Sequence, residues 1–179
     1  VWAADPSLVW NDLYNPGLDG DRFYRPVRIQ GDFIPYRGAA MHIDPAGMGG
    51  DELAYVVTKQ LNGFVYVLDA GGLTGGYTEA NLKTLVDIAQ RFRVLSIGVE
   101  SNWGGGMFTV LLTQAFSLYG YPVSIEDITV TGKKEARIID TLEPVMNQHR
   151  LVFSAEMVRK DHQSSLNKGT DDNRMFMLT

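Results

Sequence analysis

From residue 39 onward the chain falls into short apolar runs, each closed by glycine or another turn former. Ala39-Ala40-Met41-His42-Ile43-Asp44 reads as a short strand ending on a carboxylate, and the glycine-rich loop 45–51 follows it. Leu53 to Gln60 is a β-branched run, Asn62-Gly63 is a two-residue hairpin signal, and Phe64 to Asp69 returns; three antiparallel strands are predicted. A loop over 70–77 leads to Thr78, a good N-cap, with Glu79 in the first turn where the helix dipole favours an acid. Leu82, Leu85, Val86, Ala89 and Phe92 then recur at helical spacing. Val94 to Val99 is a buried-type strand that again ends on an acid, Glu100.

Gly104-Gly105-Gly106 opens a second helix whose apolar face reads as Met107, Val110, Leu111, Ala115 and Leu118, stopped by Gly120 and Pro122. Ser124 to Val130 suits another strand. Lys133 to Met146 suits a third helix, buried through Ile138, Leu142 and Val145. Leu151-Val152-Phe153 is a short apolar stretch before a charged, weakly helical tail. The order β-β-β-α-β-α-β-α predicts an α/β fold: a mixed sheet, antiparallel in its first three strands and parallel afterwards, covered by helices. Residues 1–37 hold neither period for long and are rich in rings and prolines; they read as an arm or linker packed on a domain of residues 38–179.

Composition trims the options. A length of 179 residues with 45% hydrophobic residues supports one folded domain. No apolar run reaches the roughly 18 residues of a membrane span. The absence of cysteine removes disulfides and cysteine-ligated metal sites, and His42, His149 and His162 stand too far apart for a zinc signature. The net charge of −5 is uneven: −1 over residues 1–37, −5 over 38–132 and +1 over 133–179. The acidic surplus therefore sits where a cation-binding cluster belongs.

Two strands that each end in an acid and meet a glycine-rich loop form the central constellation. If the first and fourth strands lie parallel and adjacent, Asp44 and Glu100 reach the same sheet edge, where sites form in open α/β sheets. Adjacent carboxylates repel unless a proton or cation neutralises them. All-oxygen ligands select Mg²⁺ or Mn²⁺, ions suited to phosphoryl chemistry. On residues alone, a solvated or loop-capping acid is the plainer account of either position, and it explains the pair together as well as a cation site does.

Four ordered motifs carry a resemblance: His42-Ile43-Asp44-Pro45-Ala46-Gly47, Gly50-Asp51-Glu52, Val67-Leu68-Asp69-Ala70-Gly71-Gly72 and Val99-Glu100-Ser101-Asn102-Trp103-Gly104. With Thr141-Leu142-Glu143-Pro144-Val145 and His149-Arg150-Leu151-Val152, the chain over roughly residues 36–178 resembles the nuclease domain of the large terminase subunit of tailed, short-tailed-type bacteriophages. The resemblance implies a ribonuclease H-like fold and a two-metal endonuclease of concatemeric double-stranded DNA, using Mg²⁺ or Mn²⁺, with Asp44 and Glu100 as metal ligands. It implies as partners double-stranded DNA, an ATPase domain, a small terminase subunit and a portal, all in the host cytoplasm, the isolated domain being a monomer. Asp69 is left as a loop-capping acid.

Departures from the pattern bear on activity. No phosphate-binding loop of an ATPase is present. The family's third metal-binding acid is imitated by Asp171 and Asp172, yet the alignment stops before the true motif, so the chain reads as a fragment short of that acid. Lys133, Lys134 and Arg137 form a basic cluster suited to the phosphate backbone, as do Arg159, Lys160 and Lys168; a solvated helix face is the plainer account of both. Trp103 could stack on a base or orient its loop, packing being the plainer account; His42, on the strand face of Asp44, could assist a metal-bound water, a half-buried hydrogen-bonded role being the plainer account. Two other classes stay open at this level: a catalytically silent module that docks on DNA or on the packaging motor, and a fragment of an actin-like ATPase.

Overall fold

A computed structural model describes residues 5–14, 22–29, 38–45, 52–100 and 106–166, with backbone alone at 134, 135 and 165. A short 3-10 turn, Pro6–Leu8, precedes six strands and four helices: β1 Ala39–Asp44, β2 Leu53–Leu61, β3 Phe64–Leu73, α1 Glu79–Phe92, β4 Val94–Glu100, α2 Met107–Leu118, β5 Ser124–Ile128, α3 Lys134–Asn147, β6 Leu151–Phe153 and α4 Ala155–Leu166. The sheet order is β5-β4-β1-β2-β3-β6. β1, β2 and β3 pair antiparallel, whereas β1–β4, β4–β5 and β3–β6 are parallel. This is the predicted mixed sheet, extended by β6 and α4.

Alternation along each strand decides which face is buried. Ala39, Met41 and Ile43 of β1 join Leu53, Tyr55 and Val57 of β2 and Val94, Ile97 and Val99 of β4 in one core, closed by α1 and α2. Thr78 caps α1, its side chain accepting from the Asn81 amide. Asn62 and Gly63 both adopt positive φ, as a two-residue hairpin twisted with its strands requires.

Three details depart from the pattern read along the chain. β3 does not stop at Asp69 but runs on to Leu73, carried past a register shift opposite Val57/Thr58. In α2 the buried face is Phe108, Leu112, Ala115 and Phe116, while Met107, Val110 and Leu118 are exposed. Apolar residues spread well beyond the buried face, and Thr109, Thr113, Gln114 and Ser117 alone mark the wet side, so periodicity leaves the face ambiguous. α3 does carry a stripe, but Ile138, Ile139, Leu142 and Met146 remain between 39% and 55% exposed. The stripe leans over the sheet without being seated in the first core.

The N-terminal arm packs where it is described. Val9 bridges Tyr24, and Leu13 and Phe23 lie against a second cluster of Val67, Ala70, Met157 and Val158. The guanidinium groups of Arg25 and Arg159 both approach the Trp10 ring, 5.0 and 5.8 Å from its centre. Tyr14 stacks on His162 at 4.2 Å. The 37/38 boundary falls beside residues outside the description.

Candidate active site

The parallel pairing of β1 with β4 matches His42 to Gly98 and Ile43 to Val99. Asp44 and Glu100 stand next in that register, on neighbouring strands about 4.8 Å apart. Ile43 and Val99 are buried in the core under α1 and α2, so a period of two turns Asp44 and Glu100 to the opposite face. A row thus crosses the sheet: Gly72, Ala54, Asp44, Glu100 and Ile128. Small residues flank the acid pair on one side and an aliphatic one on the other.

That face opens as a groove of about 480 Å³. Asp44, Glu100 and His42 line one end; Val56, Thr58, Val65, Val67, Leu151 and Phe153 line the sheet floor, with Leu142 reaching in from α3. Asp44 is exposed and Glu100 half-buried, so both carboxylates meet the solvent of the groove. Paired hard oxygen donors on a rigid sheet suit Mg²⁺ or Mn²⁺. Among the described residues no group of three His, Asp or Glu side chains converges. The donor set therefore fits a divalent cation through two carboxylates; Asp171 and Asp172 lie outside the described residues, as do Trp103, Lys168 and most of the two glycine loops.

The basic residues separate. Lys133 is exposed at the N-terminus of α3 and makes no side-chain cap bond. Arg137, one turn on, keeps its Nε shut off from solvent and without a hydrogen-bond partner among the described residues. The side chain of Lys134 is outside the description. Arg159 and Lys160 turn to internal partners instead. Arg159 bonds Asp12 at 3.1 Å.

Lys160 bonds Asp69, and its Nζ also donates to the Tyr55 hydroxyl at 3.0 Å. Asp69 is therefore no loop cap. Its carboxylate is 4% exposed, takes the Lys160 ammonium and the Ala70 amide on Oδ1, and accepts from the Tyr55 hydroxyl on Oδ2 at 3.4 Å. Burial works to lower the Lys160 ammonium, but hydrogen bonds to Asp69 and Tyr55 outweigh it and hold the group above its usual value. Burial pushes the Tyr55 phenol up. Sequence reasoning missed this cluster; an acid inside an apolar strand was its visible signal.

A family model for the ribonuclease H-like domain of the bacteriophage T7 terminase matches residues 43–151. The chain belongs to this terminase family. The large terminase subunit of Enterobacteria phage T3 is 38% identical over 164 residues, which are 92% of this chain and 28% of that relative. The chain therefore spans less than a third of the length of that curated relative.

Solved structures agree in fold. A variant of the nuclease domain of the large terminase subunit gp2 of bacterial virus Sf6, with manganese and beta-thujaplicinol, has a TM-score of 0.53 at 13% identity. That match covers 78% of this chain and 76% of the other. The large terminase of a thermophilic bacteriophage has a TM-score of 0.52 at 12% identity, over 78% of this chain and 34% of the other. The mixed sheet described above is thus the ribonuclease H-like sheet of phage large-terminase nuclease domains.

Proposed function

We propose that this terminase domain is an Mg²⁺- or Mn²⁺-dependent endonuclease that hydrolyses phosphodiester bonds of double-stranded DNA. The observation that carries the reading is the pairing of Asp44 and Glu100 at one end of an open groove in a terminase ribonuclease H-like domain. Two ions bound there would supply Lewis acidity for in-line attack by water on the phosphodiester. Asp44 and Glu100 would hold them, with a third acid from Asp171, Asp172 or chain beyond Thr179. The small residues Ala54 and Gly72 beside Asp44 leave the DNA backbone room to approach.

In the parent terminase the substrate would be concatemeric packaging DNA. The partners would be the ATPase domain, the small subunit and the portal, in the host cytoplasm, with the isolated domain monomeric. Residues 1–37 would serve as the arm and 38–179 as the nuclease domain. Lys133, Lys134 and Arg137 would meet the phosphate backbone, a role supported by the exposure of Lys133 at the N-terminus of α3.

Calorimetric titration with Mn²⁺ tests the assignment. The wild-type chain should take up the ion, and Asp44→Ala and Glu100→Ala should each lose most of the affinity while melting normally. Equal uptake by all three folded proteins would remove these residues from the site.

A further inference from the structure

His42 occupies a position that the carboxylate pair leaves unexplained. It stands two residues before Asp44 on the same strand face, about 6–7 Å along β1, and lines the same end of the groove. Its partners across the sheet are Val56 on one side and Gly98 on the other. A Cβ built on Gly98 would lie 3.0 Å from His42 Nδ1 and 2.2 Å from Ile128 Cδ1. The imidazole and the Ile128 side chain therefore meet over the glycine, which alone leaves a floor low enough for them.

The half-buried, hydrogen-bonded role expected of this ring does not hold. His42 is exposed, and among the described residues its nitrogens have no hydrogen-bond or ion-pair partner. Packing requires neither burial nor a bond from it, yet the sheet makes space for it beside the acid pair. The Nδ1 side lies over Gly98, and the tautomer with its proton on Nε2 carries an N–H donor on the other side of the ring.

Resting on the nuclease reading above, we propose that His42 is a substrate-contacting residue. Its ring donates a hydrogen bond to a phosphodiester oxygen of DNA held at the Asp44–Glu100 end, and Gly98 is the floor that lets it lie there. Asp44 and Glu100 serve the cation, while His42 serves the phosphate. Its loss should weaken DNA binding without altering ion uptake.

The test uses a fluorescent DNA duplex titrated in Ca²⁺, a hard cation that takes oxygen ligands, beside Mn²⁺ calorimetry on the same proteins. His42→Phe keeps a ring without a donor and should raise the DNA Kd about tenfold, the loss of one charge-assisted hydrogen bond. His42→Asn keeps a donor and should stay within about threefold of wild type. Both should take up Mn²⁺ as the wild type does.

Ile128→Ala removes both the Cδ1 and the Cγ1 that a Gly98 Cβ would meet at 2.2 and 3.2 Å, so Gly98→Ala in that background displaces the imidazole alone. It should weaken DNA binding as His42→Phe does, and combining the two should add nothing. Wild-type DNA affinity in His42→Phe overturns the proposal, as does a parallel loss of Mn²⁺ affinity, which would make His42 a metal ligand. Asp44→Ala separates the two readings. If it loses metal-dependent binding while His42→Phe binds normally, only this inference fails. If the wild type shows no metal-dependent DNA binding, the nuclease reading fails and takes this inference with it.

Discussion

Lys160→Met removes the cation from the carboxylate of Asp69, which is 4% exposed. The Tyr55 hydroxyl at 3.4 Å and the Ala70 amide remain as its partners. Breaking one side of a fully buried ion pair costs about 3–5 kcal/mol, because the remaining charge is left uncompensated. The Lys160 side chain is 46% exposed, so water can reach part of the pair and a smaller cost, about 2–3 kcal/mol, applies. For a domain of this size that lowers Tm by roughly 4–12 °C.

Replacing both partners, as in Asp69→Leu with Lys160→Met, should recover much of the loss. Urea unfolding followed by circular dichroism at pH 8 measures all four corners of the cycle. A Lys160→Met protein within about 0.5 kcal/mol of wild type at pH 8 would refute the reasoning, since that is the range of a surface change.

The exposed stripe of α3 and the buried face of α2 give opposite expectations: Ile138→Ser should lie within about 0.5 kcal/mol of wild type, whereas Leu112→Ala should cost about 2–5 kcal/mol in the same urea assay. Gly63, at φ +78, should lose about 1 kcal/mol on replacement by Ala, seen as a lower urea midpoint. The raised values of Lys160 and Tyr55 lend stability that is whole below their unfolded values of 10.5 and 10.0 and fades as pH climbs through the folded ones. Urea midpoints should therefore fall above about pH 10, and less steeply in Lys160→Met.

The elements with one wet and one dry face were legible in the sequence, because there alternation or helical spacing reports burial directly. β1, β2 and α1 are of this kind, and so is the hairpin at Asn62-Gly63, whose turn geometry the two residues dictate. Adjacency of Asp44 and Glu100 followed from the strand–acid–glycine pattern and from topology. Periodicity failed where apolar residues spread well beyond the buried face, as in α2, and where a stripe exists but its cover is not local, as in α3. β6 and α4 were reduced to an apolar stretch and a charged tail, since three residues give no period and α4 buries only a few side chains. The Asp69–Lys160 contact joins residues 91 positions apart, and no spacing rule reaches that far.

The central claim is that Asp44 and Glu100 form the cation-dependent cutting site of this terminase domain. Nicking of supercoiled plasmid by the chain in Mn²⁺, Mg²⁺ and EDTA, beside folded Asp44→Ala and Glu100→Ala, tests it most directly. The account predicts conversion to open-circular and linear DNA that needs the ion and both acids. Cleavage that persists in EDTA, or in either cleanly folded variant, would contradict it.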